Sequence, residues 1–360
     1  MIMHFILLIS LIFIEIVIYL FQKNKAIKNV RFAKVFCMGL ALFVFAALRD
    51  SSVGIDVPGY CKLFYETKRY DVIDIFSWKE GRDPVFTVFV KALSYIYSGH
   101  QILLVAVGAI VAFSFSFFVY HQRGNVLMHY ILFITFRMFA FTLTGLRQAM
   151  ALSICWIALV MLQKDRKILF LLLVSIGTMF HLSAIAFFSV LLLKYIKKID
   201  IFTCILIIIA FFDLLSGHSL VTQMTKLLGE RFLSYVDQNE LVEYSMGGTF
   251  YIYMLFFTFL IWGFCIRKVD LVKDENILLL FKVAVIAMIL SIMCQNIPSM
   301  FRMSYYFMIP FYSLISPTIN KVFVKKDALL INGLCVVLLC AQYLILTPGA
   351  GINNYKFFWS

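Results

Sequence analysis

The amino-acid sequence predicts an all-α, polytopic integral membrane protein. Of its 360 residues, 63% are hydrophobic and 14% are charged, whereas soluble domains typically have about 45–50% apolar and about 25% charged residues. Apolar runs of roughly the 17–25 residues needed to cross about 30 Å of hydrocarbon recur along the whole chain. These runs are continuous, without a period of two, which favours helices because a backbone in lipid must satisfy its own hydrogen bonds.

About twelve crossings follow from the positions of the apolar runs and of the basic residues between them. The candidate crossings are 2–21, 35–48, 101–120, 126–143, 148–163, 167–180, 182–196, 199–216, 250–267, 276–295, 303–319 and 328–346. The segment 22–34 is rich in Lys, and placing it in the cytoplasm by the positive-inside rule puts the N-terminus outside. We therefore interpret the net charge of +13 as a topology signal, and expect no nucleic-acid partner.

The whole chain, 1–360, is predicted to be one transmembrane domain with two outer hydrophilic loops, 49–100 and 217–249. This topology requires that 84–98 not cross, and its short length, Lys91 and its tyrosines favour a helix lying in the interface. The pair 167–180 and 182–196 is short for two crossings, and one long kinked helix is the alternative. The N-terminal apolar run has no basic n-region and no small-residue cleavage site, which indicates a retained helix rather than a signal peptide.

The eight cysteines do not predict a metal site or a disulfide framework. Almost all lie inside apolar runs, and no two of them form a CxxC pair, so we interpret them as small core residues. The sequence has no DxD or HExxH motif either. We therefore expect neither a metal nor another cofactor.

Costly polar and charged residues cluster at the outer ends of the predicted helices. Such residues in or at the rim of a membrane segment indicate a site by default. They are Arg49, Asp56 and Tyr60 after the second helix, Arg147 and Gln148 at the start of the fifth, His181 after the sixth, and Arg302, Tyr305 and Tyr306 at the start of the eleventh. Singly, each has an ordinary explanation: a solvated loop, snorkelling to headgroups, a core histidine or an aromatic belt. Arg137 lies deeper and is expected to face a polar cavity, whereas Glu15 and Asp213 have no assigned partner.

Arg147 is the most informative of these residues. Gly145 interrupts the helix, so that Arg147 and Gln148 fall in the first turn of the next helix, where unpaired N–H groups and the helix dipole favour an anion. An arginine is unfavourable next to the positive end of that dipole, and a bound anion would neutralise both the arginine and the helix end. Several guanidiniums around one recess favour a diphosphate, because the planar guanidinium binds phosphate oxygens bidentately. His181 is available as a general base or as a hydrogen-bond donor to phosphate.

The order of these motifs resembles that of the EpsG-like branch of the Wzy-type polysaccharide polymerases. The resemblance spans residues 49 to about 310. The matching residues are Arg49, Gly54, Asp56 and Tyr60, then Glu80 and Gly81, then Arg147, Gln148 and Ala151, then His181, Ser183 and Ala184, and finally Arg302, Tyr305 and Tyr306. In the EGRDP element, Arg82 and Asp83 stand where the family pattern leads us to expect apolar residues.

The resemblance implies a GT-C-like glycosyltransferase of the bacterial inner membrane, with its active site facing the periplasm. It would transfer a growing glycan from undecaprenyl diphosphate to the next lipid-linked repeat unit, extending O-antigen, capsule or exopolysaccharide. Arg147, Arg302 and Arg49 would hold the donor diphosphate, and His181 or Asp56 would deprotonate the acceptor. The remaining candidates for substrate binding are Tyr60, Arg137, Gln148, Tyr305 and Tyr306. Implied partners are the lipid-linked oligosaccharide, membrane lipid, and a flippase and a chain-length regulator of the same pathway.

Two alternatives stay open on the sequence. A flippase or other transporter usually places its charges near the midplane and shows repeats of topology, whereas the costly residues here lie at the outer rim. An O-antigen ligase or another GT-C transferase would also carry arginines and a histidine, but in a larger late periplasmic loop than 217–249.

Overall fold

The computed structural model describes residues 2–24, 27–77, 83–196, 208–209, 212, 216, 249–266, 274–294, 298–346 and 355–359. Every regular element assigned in these residues is helical, which confirms the all-α prediction. The chain divides into two compact units, Met1–Ile185 with Leu339–Ser360, and Ala186–Leu338. The two units are described separately below.

The first unit contains ten α-helices in the described residues. They are α1 (Ile2–Lys23), α2 (Val30–Ala47), α3 (Val57–Glu66), α4 (Val72–Ser77), α5 (Pro84–Ile96), α6 (Gln101–His121), α7 (Val126–Thr135), α8 (Met138–Thr144), α9 (Leu146–Gln163) and α10 (Lys167–Phe180). A 3-10 turn, Thr67–Arg69, follows α3, and another, Leu182–Phe188, begins just after α10.

The second unit contains the helices that follow. They are α11 (Ser189–Leu193), α12 (Thr249–Ile261) with a π-helical end at Trp262–Ile266, α13 (Glu275–Met293) and α14 (Pro298–Val322). The last helix, α15 (Lys325–Leu346), begins in this unit and ends in the first. Lys282 of α13 donates hydrogen bonds to the carbonyls of Leu193 and Ile196, and so caps the end of α11.

Six of the described helices are long and apolar enough to cross a membrane: α1, α2, α6, α9, α13 and α15. The pair α7 and α8, bent by 57°, would make a seventh. Four further apolar helices are shorter: Pro84–Ile96, Lys167–Phe180, Leu182–Leu193 and Tyr251–Phe264. Most of the predicted crossing 199–216 lies outside the described residues. The structure therefore confirms a polytopic helical membrane protein, and the number twelve stays a prediction.

The helices of the first unit share two opposite ends. At one end, Arg31 of α2 donates to the carbonyls of Tyr120 (3.0 Å) and Gly124 (3.1 Å), where α6 ends. The amides of Gln122 and Gln163 pair at 2.9 Å, which joins the ends of α6 and α9. We call this the basic end, because Lys and Arg residues flank the helices there. At the other end, which we call the site end, α2 finishes and α6 and α9 begin.

The core between these ends is aromatic. Phe115 of α6 stacks on Phe133 of α7 at 4.0 Å between ring centroids, and Trp156 of α9 packs edge-on against both. Glu15, an acid without an assigned partner in the sequence, pairs with Lys34 of α2. Asp213 lies outside the described residues.

Candidate functional site

The turn between α2 and α3 places Tyr60 at the site end. Gly54 adopts a φ of +109°, a conformation that L side chains rarely adopt, and a Cβ atom there would lie 2.7 Å from the carbonyl oxygen of Leu143. Glycine therefore lets this turn pack against the end of α8. Helix α3 begins directly afterwards, and Tyr60 is buried on it, with its ring 5.5 Å from that of Phe86 in α5.

Asp83 is the residue that begins α5. Pro84 at the first helical position favours the start of a helix there, because its missing N–H would have no partner anyway. An aspartate at this position usually accepts a hydrogen bond from its own helix, but the Asp83 side chain makes no such cap. Its carboxylate is directed instead at two residues from distant parts of the chain, Arg147 and His181.

Arg147 contacts both Asp83 and Tyr60. Its Nη1 donates to Oδ2 of Asp83 at 2.9 Å, and its Nε donates to the hydroxyl of Tyr60 at 3.4 Å. The guanidinium carbon also lies 5.8 Å from the centre of the Tyr60 ring, within cation–π range. Because α9 begins at Leu146, the first turn of the helix holds this cation, as the sequence predicts. The anion beside it is the carboxylate of Asp83.

His181 completes the cluster from the end of α10. The helix ends at Phe180, and His181 has an extended backbone before the 3-10 turn begins at Leu182. Its Nδ1 lies 3.5 Å from Oδ2 of Asp83, so one carboxylate oxygen faces both a guanidinium and an imidazole. We call Tyr60, Asp83, Arg147 and His181 the site cluster.

The site cluster is partly shielded from solvent. The side chain of Asp83 is 12% exposed, against 33% for Arg147 and 31% for His181. Burial raises the pKa of the Tyr60 hydroxyl above its ordinary value, and the charge of Arg147 partly offsets this effect. The hydroxyl therefore keeps its proton near neutral pH. The cluster presents a guanidinium and an imidazole to a ligand, held by one carboxylate.

Asp83 is the member of the cluster that the sequence prediction missed. It appeared only as a departure from the family pattern, where an apolar residue was expected. Asp56, the acid that was predicted to act, begins α3 one turn before Tyr60, without a side-chain cap. The carboxylate beside His181 belongs to Asp83. The signal available in the sequence was an acid followed by proline, at the start of an amphipathic helix.

Arg49 has a different environment from Arg147. Its side chain is 1% exposed, and its guanidinium donates to the carbonyls of Ala46 and of Leu143, the latter at 3.0 Å. Burial lowers its pKa to about 10, which leaves it protonated at neutral pH. Arg49 thus joins the end of α2 to the end of α8.

The segment predicted as one helix over 126–143 is broken, and this corrects the prediction. Helix α7 ends at Thr135, and Arg137 adopts a φ of +62° before α8 begins at Met138. A left-handed residue other than glycine is uncommon and costs about 1–2 kcal/mol. Arg137 is half-buried at this break, and Gln148 is buried beside Arg147 on α9.

The remaining candidates lie in the second unit or outside the described residues. Tyr305 and Tyr306 are buried on α14, and Arg302 is half-buried near its start. Glu80, Gly81 and Arg82 lie outside the described residues, as does nearly all of the loop 217–249. Within the described residues, no three His, Cys, Asp or Glu side chains are placed to hold a metal ion.

The fold and the site cluster define a polytopic helical membrane protein with a charged site where several helices end. A family model described as the EpsG family matches residues 32–358, and the chain therefore belongs to the EpsG family. EpsG-like proteins are Wzy-type polysaccharide polymerases, so the chain is a polysaccharide polymerase of the glycosyltransferase kind in a general sense. This confirms the resemblance seen in the sequence. Neither the curated proteins nor the solved structures yielded a match.

Proposed function

We propose that the protein polymerises undecaprenyl-diphosphate-linked oligosaccharide repeat units on the periplasmic face of the bacterial inner membrane. The observation that carries the proposal is the Arg147–Asp83–His181 contact beside Tyr60. Arg147 supplies a cation for a diphosphate, and His181 with Asp83 supplies an acid–base pair. The chain also belongs to a family of polysaccharide polymerases. The product would be O-antigen, capsule or exopolysaccharide.

In the proposed reaction, a hydroxyl of the acceptor repeat unit attacks the anomeric carbon of the donor glycan. The bond from that carbon to the diphosphate oxygen breaks, and undecaprenyl diphosphate leaves with the bonding electron pair. Arg147 stabilises the charge that develops on the leaving group, because it is already oriented by Asp83 and Tyr60. Arg302 of α14 is the second proposed ligand of the diphosphate.

His181 is the proposed base that takes the proton of the acceptor hydroxyl. If its Nδ1–H points to Asp83, its Nε2 carries the lone pair that accepts this proton. Asp83 then stabilises the imidazolium that forms and fixes the orientation of the ring. Asp56 is the competing base. Tyr60, Gln148, Tyr305 and Tyr306 are proposed to contact the substrate, with Arg137 at the break between α7 and α8.

The distribution of charge supports the periplasmic orientation. The site cluster lies at the site end of the first unit, and residues such as Lys28, Arg123 and Lys164 flank its helices at the basic end. Membrane proteins keep such Lys and Arg residues in the cytoplasm. The site end would then face the periplasm, where lipid-linked repeat units that have been flipped across the membrane are available.

Contacts at the site end also support an even number of crossings. His4 of α1 contacts the hydroxyl of Tyr343 in α15 at 3.1 Å, and the hydroxyl of Tyr355 donates to the carbonyl of Phe45 at the end of α2. Residues 4 and 355 therefore lie at the same end of the first unit. With both residues on one side of a membrane, the number of crossings between them is even, a condition that twelve and six both meet. Twelve crossings and a GT-C-like architecture remain part of the proposal.

The proposal is tested in a deletion strain complemented with Arg147→Lys, which keeps the charge but loses the bidentate fork. We expect a gel of surface polysaccharide to show a much shortened ladder dominated by the core-plus-one-unit band, where the wild-type gene restores the full ladder. Arg123→Lys, at the basic end, is the matched control and should restore the ladder. An unchanged ladder with Arg147→Lys would refute the role of Arg147. Loss of even the single-unit band in the deletion strain would indicate a flippase instead.

A further inference from the structure

The end of α2 is held by residues from distant parts of the chain. The last four carbonyls of a helix have no partner within the helix, and here each has a donor. The donors are the backbone N–H of Leu48 to Val44, the hydroxyl of Tyr355 to Phe45, the guanidinium of Arg49 to Ala46 and the side-chain amide of Gln101 to Ala47. The donor from Tyr355 lies 310 residues beyond its acceptor.

The segment 355–359, which we call the clasp, pairs with the backbone that follows α2. The N–H of Asp50 donates to the carbonyl of Lys356 at 2.8 Å, and the N–H of Phe358 donates to the carbonyl of Leu48 at 3.0 Å. Arg49 therefore lies opposite Phe357 in an antiparallel bridge. The family match extends to residue 358, so it includes all of the clasp except its last residue.

Apolar contacts reinforce this pairing. The rings of Tyr355 and Phe357 lie 5.7 Å and 6.0 Å from that of Phe45, and Tyr355 is buried. The hydroxyl of Tyr355 reaches its carbonyl acceptor at 2.6 Å. Backbone pairing, ring packing and a buried hydrogen bond together hold the clasp on the end of α2.

Arg49 connects the clasp to the site cluster. Its Nη2 donates at 3.0 Å to the carbonyl of Leu143, in the last turn of α8. Gly145 then separates α8 from α9, and Arg147 lies in the first turn of α9. A displacement of the backbone at Arg49 would therefore move the junction from which Arg147 extends.

We infer that the clasp is a positioning element for Arg147, with Tyr355 as its principal residue. Through its pairing with Leu48 and Asp50, it sets the position of Arg49, and Arg49 sets that of the α8–α9 junction. Its effect on the rate rests on the proposed polymerase function. The pairing of the clasp with the end of α2 does not rest on that function. The pairing and the effect on the rate are therefore tested separately.

The pairing itself is tested by the double variant Asp50→Cys/Lys356→Cys, with each single variant as a control. The two residues flank the bridged pair, and paired strands bring Cα atoms to about 4.5–5.5 Å, within disulfide range. We expect mass spectrometry of oxidised membranes to find a peptide linked through positions 50 and 356. If a double variant present at the wild-type amount forms no such link, the clasp is refuted whatever the protein does.

The positioning role is tested by Tyr355→Phe, which removes only the hydroxyl. With purified protein and lipid-linked repeat units, we expect kcat to fall about two- to tenfold, the effect of one buried hydrogen bond. Tyr97→Phe, at an exposed tyrosine, is the matched control and should leave kcat unchanged. In a triple variant that combines Tyr355→Phe with Asp50→Cys and Lys356→Cys, formation of the disulfide should restore kcat. Reduction of the disulfide should lower kcat again.

A double-mutant cycle tests whether the clasp acts through Arg147. In an Arg147→Lys background, Tyr355→Phe should have little further effect, because the group that it positions is already lost. An equal fall in kcat in both backgrounds, or no fall with Tyr355→Phe alone, would overturn the positioning role and leave the polymerase proposal intact. Absence of polymer with the wild-type protein would refute the proposed function and leave the cross-link result standing.

Discussion

Asp83→Asn is the substitution that most directly tests the chemistry of the site cluster. It preserves the shape of the side chain and removes the charge that Arg147 and His181 share. The relevant distances are 2.9 Å from Oδ2 to Nη1 of Arg147 and 3.5 Å from Oδ2 to Nδ1 of His181. The variant would lose the counter-ion of the guanidinium and the negative charge that faces the imidazole.

The size of the effect follows from these distances and from the exposure of the groups. Two unit charges 4 Å apart interact by about 4 kcal/mol at an effective dielectric constant of about 20. A third of the Arg147 side chain is exposed, so solvent screens this pair. The net value of a hydrogen bond to a charged group, about 1.5–3 kcal/mol, is therefore the better guide. If this stabilisation is lost in the transition state, the rate falls about 10- to 100-fold.

The assay is polymerisation of purified lipid-linked repeat units by the protein in proteoliposomes, with kcat and KM determined separately. We expect Asp83→Asn to lower kcat more than it raises KM, because the uncharged variant leaves Arg147 free to bind a diphosphate but no longer places a negative charge beside His181. Asp71→Asn, an exposed aspartate of the same loop, is the matched control.

A kcat within about twofold of wild type for Asp83→Asn would refute this reasoning, since the expected loss corresponds to at least one hydrogen bond to a charged group. Asp56→Asn then becomes the informative variant. If it abolishes turnover while Asp83→Asn does not, Asp56 is the base and the contact between Asp83 and His181 is structural.

Two further predictions concern the turn and helix beside the cluster. Gly54→Ala should lower the melting temperature of the purified protein, with a loss of about 1–3 kcal/mol, because its Cβ would meet the Leu143 carbonyl at 2.7 Å in a left-handed conformation. Gly59→Ala, whose Cβ meets no atom within 4 Å, is the control, and equal melting temperatures for the two variants would contradict the steric argument. Burial raises the pKa of the Cys61 thiol to about 11, so its alkylation by iodoacetamide should be slow at pH 8 and rise about tenfold per pH unit towards that pKa. Fast labelling at pH 8, measured by mass spectrometry, would contradict this prediction.

The helical fold was predictable because its causes are local in sequence. Apolar runs of crossing length identify α1, α2, α6 and α9, and Gly145 predicts where α9 begins. Helix α3 was not predicted, because Gly54, Pro58 and Gly59 favour a turn around Tyr60 rather than a helix. The break at Arg137 was not predictable, because its neighbours are all apolar and an arginine does not favour a left-handed backbone.

The candidate site could be predicted in part. Arg147, Tyr60 and His181 were predictable because each is costly in a membrane segment or next to one. Asp83 was not, because an acid in a hydrophilic loop has many ordinary explanations and only the fold brings it to Arg147. Arg49 was correctly recognised as unusual, but the sequence does not reveal that its guanidinium binds two backbone carbonyls.

The burial of α9 constrains how a substrate reaches Arg147. Most of α9 is enclosed by other helices, whereas α1 and α15 are largely exposed to the surroundings. A helix packed on all sides cannot tilt without displacing its neighbours, so the guanidinium at its start stays at a constant depth. Under the proposed function, a lipid-linked donor would have to bring its diphosphate to that depth, and the length between its diphosphate and its hydrocarbon chain would become a criterion of selection.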